Sequence, residues 1–135
     1  MDYRSDVAIA IKLSDREKFE AAIADYDNKI KLENKFAYTV RDLLDDAADY
    51  YYGAKEDYII IYWDNIKWYD DFAEIIFFNK AMTEDYGIKR DLLRVGEETG
   101  DIEEDYQINS NAFGPITFQS IQFICKTIFN LDDVK

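Results

Sequence analysis

The densest chemistry in the chain is a run of carboxylates. Glu97, Glu98, Asp101, Glu103, Glu104 and Asp105 put six acids into nine residues, with Gly96 and Gly100 bracketing the start. Oxygen-rich sets of this kind suit Mg²⁺ and Ca²⁺. The Asp101-x-Glu103-x-Asp105 spacing fits the opening of a twelve-residue calcium loop, but Tyr106 stands where that loop needs glycine. The plain expectation is a charged hairpin or loop, with a docking surface as its functional reading and a metal site as the remaining alternative. A second set, Asp42, Asp45, Asp46 and Asp49, has spacings of three, four and seven. A helix would place these acids on one face, opposite Leu43, Leu44 and Ala47. Such a stripe repels itself and is only partly relieved by Arg41; its functional reading is an imitation of a phosphate backbone, its plain reading an ordinary solvated face. A third set joins Trp68 and Tyr69 to Asp70 and Asp71, within a wider group that includes Tyr50, Tyr51, Tyr52, Tyr58, Tyr62 and Trp63. Trp and Tyr anchor interfaces because they bury large areas at little entropic cost, and they are also ordinary core fillers; core or sheet-face packing is expected first, a protein-binding patch second. Tyr62 and Trp63 are adjacent, so on a strand they must face opposite ways.

Catalysis finds less support. The chain has no histidine, which removes the usual neutral-pH base, Ser-His and Cys-His pairs, and most zinc sites. Its glycines, Gly53, Gly87, Gly96, Gly100 and Gly114, form no phosphate-cradling loop. Glu33-x-Lys35 matches the end of some nuclease motifs but is too common a tripeptide to weigh. A carboxylate pair with one pKa raised by burial stays possible in principle, and a small metal-dependent hydrolase using Glu97 to Asp105 is the enzymatic alternative. The expectation is a protein that is not an enzyme and needs no cofactor.

Charge narrows the partners. Asp plus Glu number 29 against 16 Lys plus Arg, a net charge of −13. That surplus repels DNA, RNA and anionic membranes, and it steers the chain toward a basic partner. The single Cys125, among Phe123, Ile124, Ile128 and Phe129, reads as a buried thiol in a reducing cytoplasm. The opening Met-Asp-Tyr-Arg lacks the basic start and apolar run of a signal peptide, and no apolar stretch is long enough to span a bilayer. A soluble cytoplasmic monomer or homodimer is expected.

The elements that must position these groups follow from periodicity. The 135 residues suit one domain, spanning 1–135. Val7 to Leu13 predicts a buried first strand, and Ser14 with Glu17 predicts a capping box opening a helix whose inner face is Phe19, Ala22, Ile23 and Tyr26. Asp27 to Lys35 is expected to be a loop or hairpin arm. Phe36, Val40, Leu43, Leu44, Ala47, Ala48 and Tyr51 suggest a second helix ending at Gly53. Tyr58 to Trp63 predicts the strongest, central strand, Asp70 to Glu84 a helix, and Leu92 to Val95 a strand before the acidic turn. Ile116 to Cys125 alternates with a phase switch that suggests a bulge. The fold class is therefore α+β: a small mixed, mainly antiparallel sheet with two or three helices packed on it.

Two segments resemble a family of small acidic proteins encoded by bacteriophages and mobile elements. They are Trp63-Asp64-Asn65-Ile66-Lys67-Trp68-Tyr69 with Asp71-Phe72, and Arg94-Val95-Gly96-Glu97-Glu98-Thr99-Gly100-Asp101-Ile102-Glu103-Glu104. The resemblance covers about Tyr58 to Glu104. That family has no settled activity, so the resemblance implies a setting, a phage accessory protein acting in the host cytoplasm. Combined with the charge, it leads to an expected function: inhibiting a host nucleic-acid-processing defence protein, a CRISPR effector or a restriction enzyme, by occupying its basic surface. An immunity protein or antitoxin against a basic nuclease toxin is the alternative. The partner-binding set expected for this role is Asp42, Asp45, Asp46, Asp49, Trp68, Tyr69, Asp70, Asp71, Glu97, Glu98, Asp101, Glu103, Glu104 and Asp105.

Overall fold

A computed structural model describes residues 2–47, 49–53 and 58–108. Five strands form one sheet: β1 (Ser5–Lys12), β2 (Asp49–Gly53), β3 (Tyr58–Ile66), β4 (Arg90–Gly96) and β5 (Ile102–Tyr106), in the order β2-β3-β1-β4-β5. Every pairing among them is antiparallel. The α+β expectation holds. The strand at the centre is β1, with β3 beside it, so the apolar run of β3 marks an interior strand and not the middle one.

Both faces of the inner strands are buried, which is why VAIAI and YIIIYW read as continuous apolar runs instead of alternating. Val7, Ile9 and Ile11 face the helices together with Ile59, Ile61 and Trp63, opposite them in register. Ala8, Ala10, Ile60, Tyr62 and Leu93 turn the other way and are buried as well.

The helical layer begins with a 3-10 turn, Leu13–Asp15, followed by α1 (Arg16–Glu33). Phe19, Ala22 and Ile23 form its buried face, as the spacing predicts. The predicted Ser14–Glu17 capping box does not form: the 3-10 turn takes up Ser14, and the N-cap of α1 is Asp15, without a side-chain cap. Nor is Asp27 to Lys35 a loop. The helix runs on to Glu33, helped by a Lys29–Asp25 ion pair four residues apart (3.1 Å). Its overhanging end leaves Leu32 and, just beyond, Phe36 80% and 84% exposed.

The capping box of this fold is at Thr39 and Asp42, which open α2 (Val40–Asp45) by reciprocal hydrogen bonds. Asp27 of α1 adds to this start, accepting the Val40 and Arg41 amides at 2.8 and 2.9 Å. Here α2 stops, contrary to the helix expected up to Gly53. Asp46 is its C-cap, and Asp49–Gly53 pairs with β3 as an edge strand. Tyr-rich sequence favours extended backbone, and that preference outweighs the helical spacing of Ala47 and Tyr51.

A third helical stretch runs from α3 (Ala73–Ile76) through a π turn (Phe77–Ala81) into α4 (Met82–Glu84). It packs Phe77 and Phe78 on Phe19, with Phe78 also edge-on to Trp63 at 5.4 Å. A buried arginine, Arg90 (2% exposed), donates to the carbonyls of Phe78 (2.8 Å) and Asn79 (3.0 Å) within the π turn. Its remaining nitrogen meets the Asp105 carboxylate at 2.9 Å. One side chain thus ties the irregular helix to the edge of the sheet. No helix among the described residues is long and apolar enough to cross a membrane. The predicted Ile116–Cys125 strand with its bulge, and Cys125, lie outside the described residues.

Candidate functional site: a carboxylate pair at a bulged strand end

The predicted partner-binding residues do not gather into one surface. Of the stripe, Asp42 is spent on the capping box, and Asp46 accepts a hydrogen bond from the Tyr38 hydroxyl. Asp49 sits in β2, off the helix altogether. Asp45 alone remains an exposed carboxylate of α2 with no hydrogen bond or ion pair among the described residues. Asp42, Asp45 and Asp46 are nonetheless exposed on α2 opposite the buried Val40, Leu43 and Leu44, as their spacing predicts, and Asp49 alone leaves the stripe.

Trp68 is no surface anchor either. It is buried 5.3 Å from Trp63 and donates through Nε1 to Asn79 (3.3 Å), whose amide in turn donates to Asp70 (3.2 Å). Tyr69 stacks at 5.1 Å from Phe72 and accepts the Tyr3 backbone amide through its hydroxyl. These residues build the core and its rim. Asp71 is exposed.

The acidic turn forms the β4–β5 hairpin, and its own strands neutralise it. Arg94 grips Asp101 with two nitrogens (2.9 and 3.2 Å) and Glu103 with a third (3.0 Å). Asp105 meets Arg90, and Asp101 also accepts from the Tyr3 hydroxyl. Arg94 holds the Asp101 carboxyl below the usual range, with help from Tyr3. Glu97 accepts the Arg4 amide (3.0 Å). Glu98 and Glu104 keep exposed carboxylates. Among the described residues no group of three or more His, Cys, Asp or Glu is placed to hold a metal ion.

A different acidic feature comes from the register. Between β1 and β3 the pairing slips: Ser5 faces Ile66 while Val7 faces Trp63. Asp6 therefore stands opposite two residues, Asp64 and Asn65, which is a β-bulge. Asn65 takes the left-handed conformation (φ 54°), one that Asn tolerates better than most residues. Its amide donates to Asp6 at 2.9 Å. The bulge sets Asp64 beside Asp6, and both line one depression. Burial raises the Asp6 pKa and the neighbouring Asp64 raises it further, against the Asn65 amide. Asp6, Asp64 and Glu97 line a shallow depression together with Arg4. Sequence reasoning missed this pair because its members are 58 positions apart (6 to 64) and only the bulge joins them.

Beside the pair lies a cavity of about 670 Å³, within the size range of small-molecule sites. It opens between the end of β3, α2 and the start of α3, and shares Arg4, Asp64 and Asn65 with the depression. Its walls include Tyr38, Leu43, Trp63 and Phe72, with Glu74 among them. Comparison with known proteins finds no matching family model, no matching curated protein and no matching solved structure.

Proposed function

We propose that this chain is an acidic binding protein that docks its bulged strand end onto a basic, nucleic-acid-binding surface of another protein, and that it works by occupancy and not by catalysis. The observation that carries this reading is the placement of Asp6 and Asp64 side by side at the bulge, lining one depression with Glu97. Two carboxyls held together repel, and they relax when a guanidinium or ammonium comes between them. Glu97 in the same depression, and Asp45, Asp71, Glu98 and Glu104 elsewhere on the surface, extend the negative field that steers such a partner. The phage-type resemblance supplies the class of target: a host defence protein that processes nucleic acid, such as a CRISPR effector or a restriction enzyme.

Affinity capture from a bacterial lysate at low and at moderately high salt tests this. The expected result is a nucleic-acid-binding protein that is retained at low salt and released by salt or by competing DNA. Retention should drop for the Asp6→Asn/Asp64→Asn double variant. Capture that ignores salt, DNA and the double variant alike would end the proposal.

A further inference from the structure

The cavity beside the bulge has a feature that protein docking does not use. Glu74 is only 8% exposed, yet it is among the residues that line the cavity. Among the described residues its one donor is its own backbone amide, and no lysine or arginine forms an ion pair with it. The cations on the cavity wall are committed elsewhere. Lys67 pairs with Asp2 at 2.9 Å, and Arg4 lies 3.9 Å from Asp2 while donating to the Asn65 carbonyl. Asp46, also on the wall, already accepts from Tyr38. Glu74 is left as a largely buried acid on the cavity lining with no cation paired to it among the described residues.

The remaining lining is mixed: Asp64 and Asn65 add polar groups, and Tyr38, Leu43, Trp63 and Phe72 add apolar surface. The Trp63 indole is fixed in place by its hydrogen bond to the Leu43 carbonyl (2.8 Å). Phe72 and Tyr38 keep 37% and 44% of their surface exposed, so the cavity presents aromatic surface to solvent. Aromatic faces attract cations, and they also stack on planar groups.

We propose that this cavity binds a small organic cation, whose ammonium or amidinium head meets Glu74 and whose flat apolar body lies among Tyr38, Trp63 and Phe72. The head supplies the counter-charge that the fold withholds, and the body covers the exposed aromatic surface. Burial raises the Glu74 carboxyl, its own amide opposes that, and the Asp42 charge adds to the rise. A bound cation would reverse this rise and make binding strengthen with pH across the titration of Glu74.

Phenethylamine is a suitable probe, compared with its anionic analogue 3-phenylpropionate by calorimetry on the full chain. The expected outcome is a Kd of ~1 mM or tighter for the amine, and binding of the acid weaker by at least about tenfold. Glu74→Gln should remove that preference, and Phe72→Ala should weaken the amine while leaving its preference over the acid. The same head could come from a partner's lysine side chain, so N-acetyl-lysine methylamide, which lacks a flat body, forms a third arm. If the lysine amide binds as well as phenethylamine, if both charges bind alike, if neither binds, or if Glu74→Gln keeps the preference, the assignment is wrong. Asp6→Asn, which lies outside the cavity lining, should leave amine binding unchanged while weakening capture of a basic partner, so either reading can fail without the other.

Discussion

The β4–β5 hairpin and the bulged end of β3 are both acidic, and they handle their charge in opposite ways. The hairpin crowds carboxylates along a few residues of sequence, but Arg90 and Arg94 stand across the strand pairs and take up Asp101, Glu103 and Asp105. At the bulge, Asp6 stands beside Asp64, and the nearby Arg4 and Lys67 turn to Asp2. Crowding in sequence therefore says little about the charge a partner would meet. Cross-strand register decides it.

The sharpest way to break this comparison is at Arg90. Replacing it with Leu removes the donor to the Phe78 and Asn79 carbonyls and frees Asp105, whose side chain is 54% exposed and can rehydrate. The expected loss is about 3 kcal/mol, mostly from the buried carbonyls left behind. Urea unfolding would measure it, with Glu98→Gln as a control that moves by less than about 0.5 kcal/mol. If Arg90→Leu also shifted by so little, the hairpin would not depend on its arginines.

Gly96→Ala attacks the same hairpin from the backbone side. A Cβ at Gly96 would collide with the Asp101 carboxylate and the Tyr3 hydroxyl, both members of the Arg94 network. Such overpacking costs about 2 kcal/mol. Thermal unfolding should show it, and NMR shifts confined to Tyr3, Arg94 and Asp101 would locate it. Gly100→Ala adds no clash, so any loss there reflects its φ of 86° alone.

At the bulge the matching probe is Asn65→Val. A β-branched residue at φ 54° is strained, so the loss should be about 1.5 kcal/mol. Asn65→Gly should cost far less. Equal losses for Val and Gly would mean that the Asn65 side chain, and not the backbone conformation, holds the bulge.

These same positions show what the sequence could and could not reveal. The inner face of α1 was legible because it repeats a helical period, and β1 and β3 because unbroken apolar, β-branched runs mark strands buried on both faces. The extension of α1 past Asp27 was not, because its outer turns are solvated and lack an apolar stripe; only the Asp25–Lys29 spacing hinted at it. The short α2 was misread since Ala47 and Tyr51 happen to continue a helical period across a chain that has already turned extended. For the candidate site the obstacle is different in kind. Asp6 and Asp64 have ordinary neighbours, and a one-residue slip in pairing is what puts them together. Glu74 likewise looks like any acid in the first turn of a helix until the cavity beside it is seen.

The smallest effect is also the one that separates the two acidic regions most cleanly. Asp6→Asn keeps an acceptor for the Asn65 amide and removes the repulsion with Asp64, so it should stabilise the fold at neutral pH by about 0.5 kcal/mol. The pH dependence fixes the sign. Burial and Asp64 hold the folded pKa of Asp6 above its ordinary value of 3.8, so the folded chain keeps this proton more tightly than the unfolded one. Its contribution therefore falls as pH rises from the ordinary value through the raised one. Asp101 runs the other way: Arg94 and Tyr3 lower its pKa, and its contribution is present above the ordinary value and lost as pH falls through the folded one. Unfolding curves taken from acid to neutral pH should therefore show the advantage of Asp6→Asn growing with pH, while Asp101→Asn is costly near neutrality and converges on the parent in acid. Parallel curves for both variants would mean that the two acidic regions are electrostatically alike, and the Asp6–Asp64 pair would lose its claim as the site where a partner's cation is awaited.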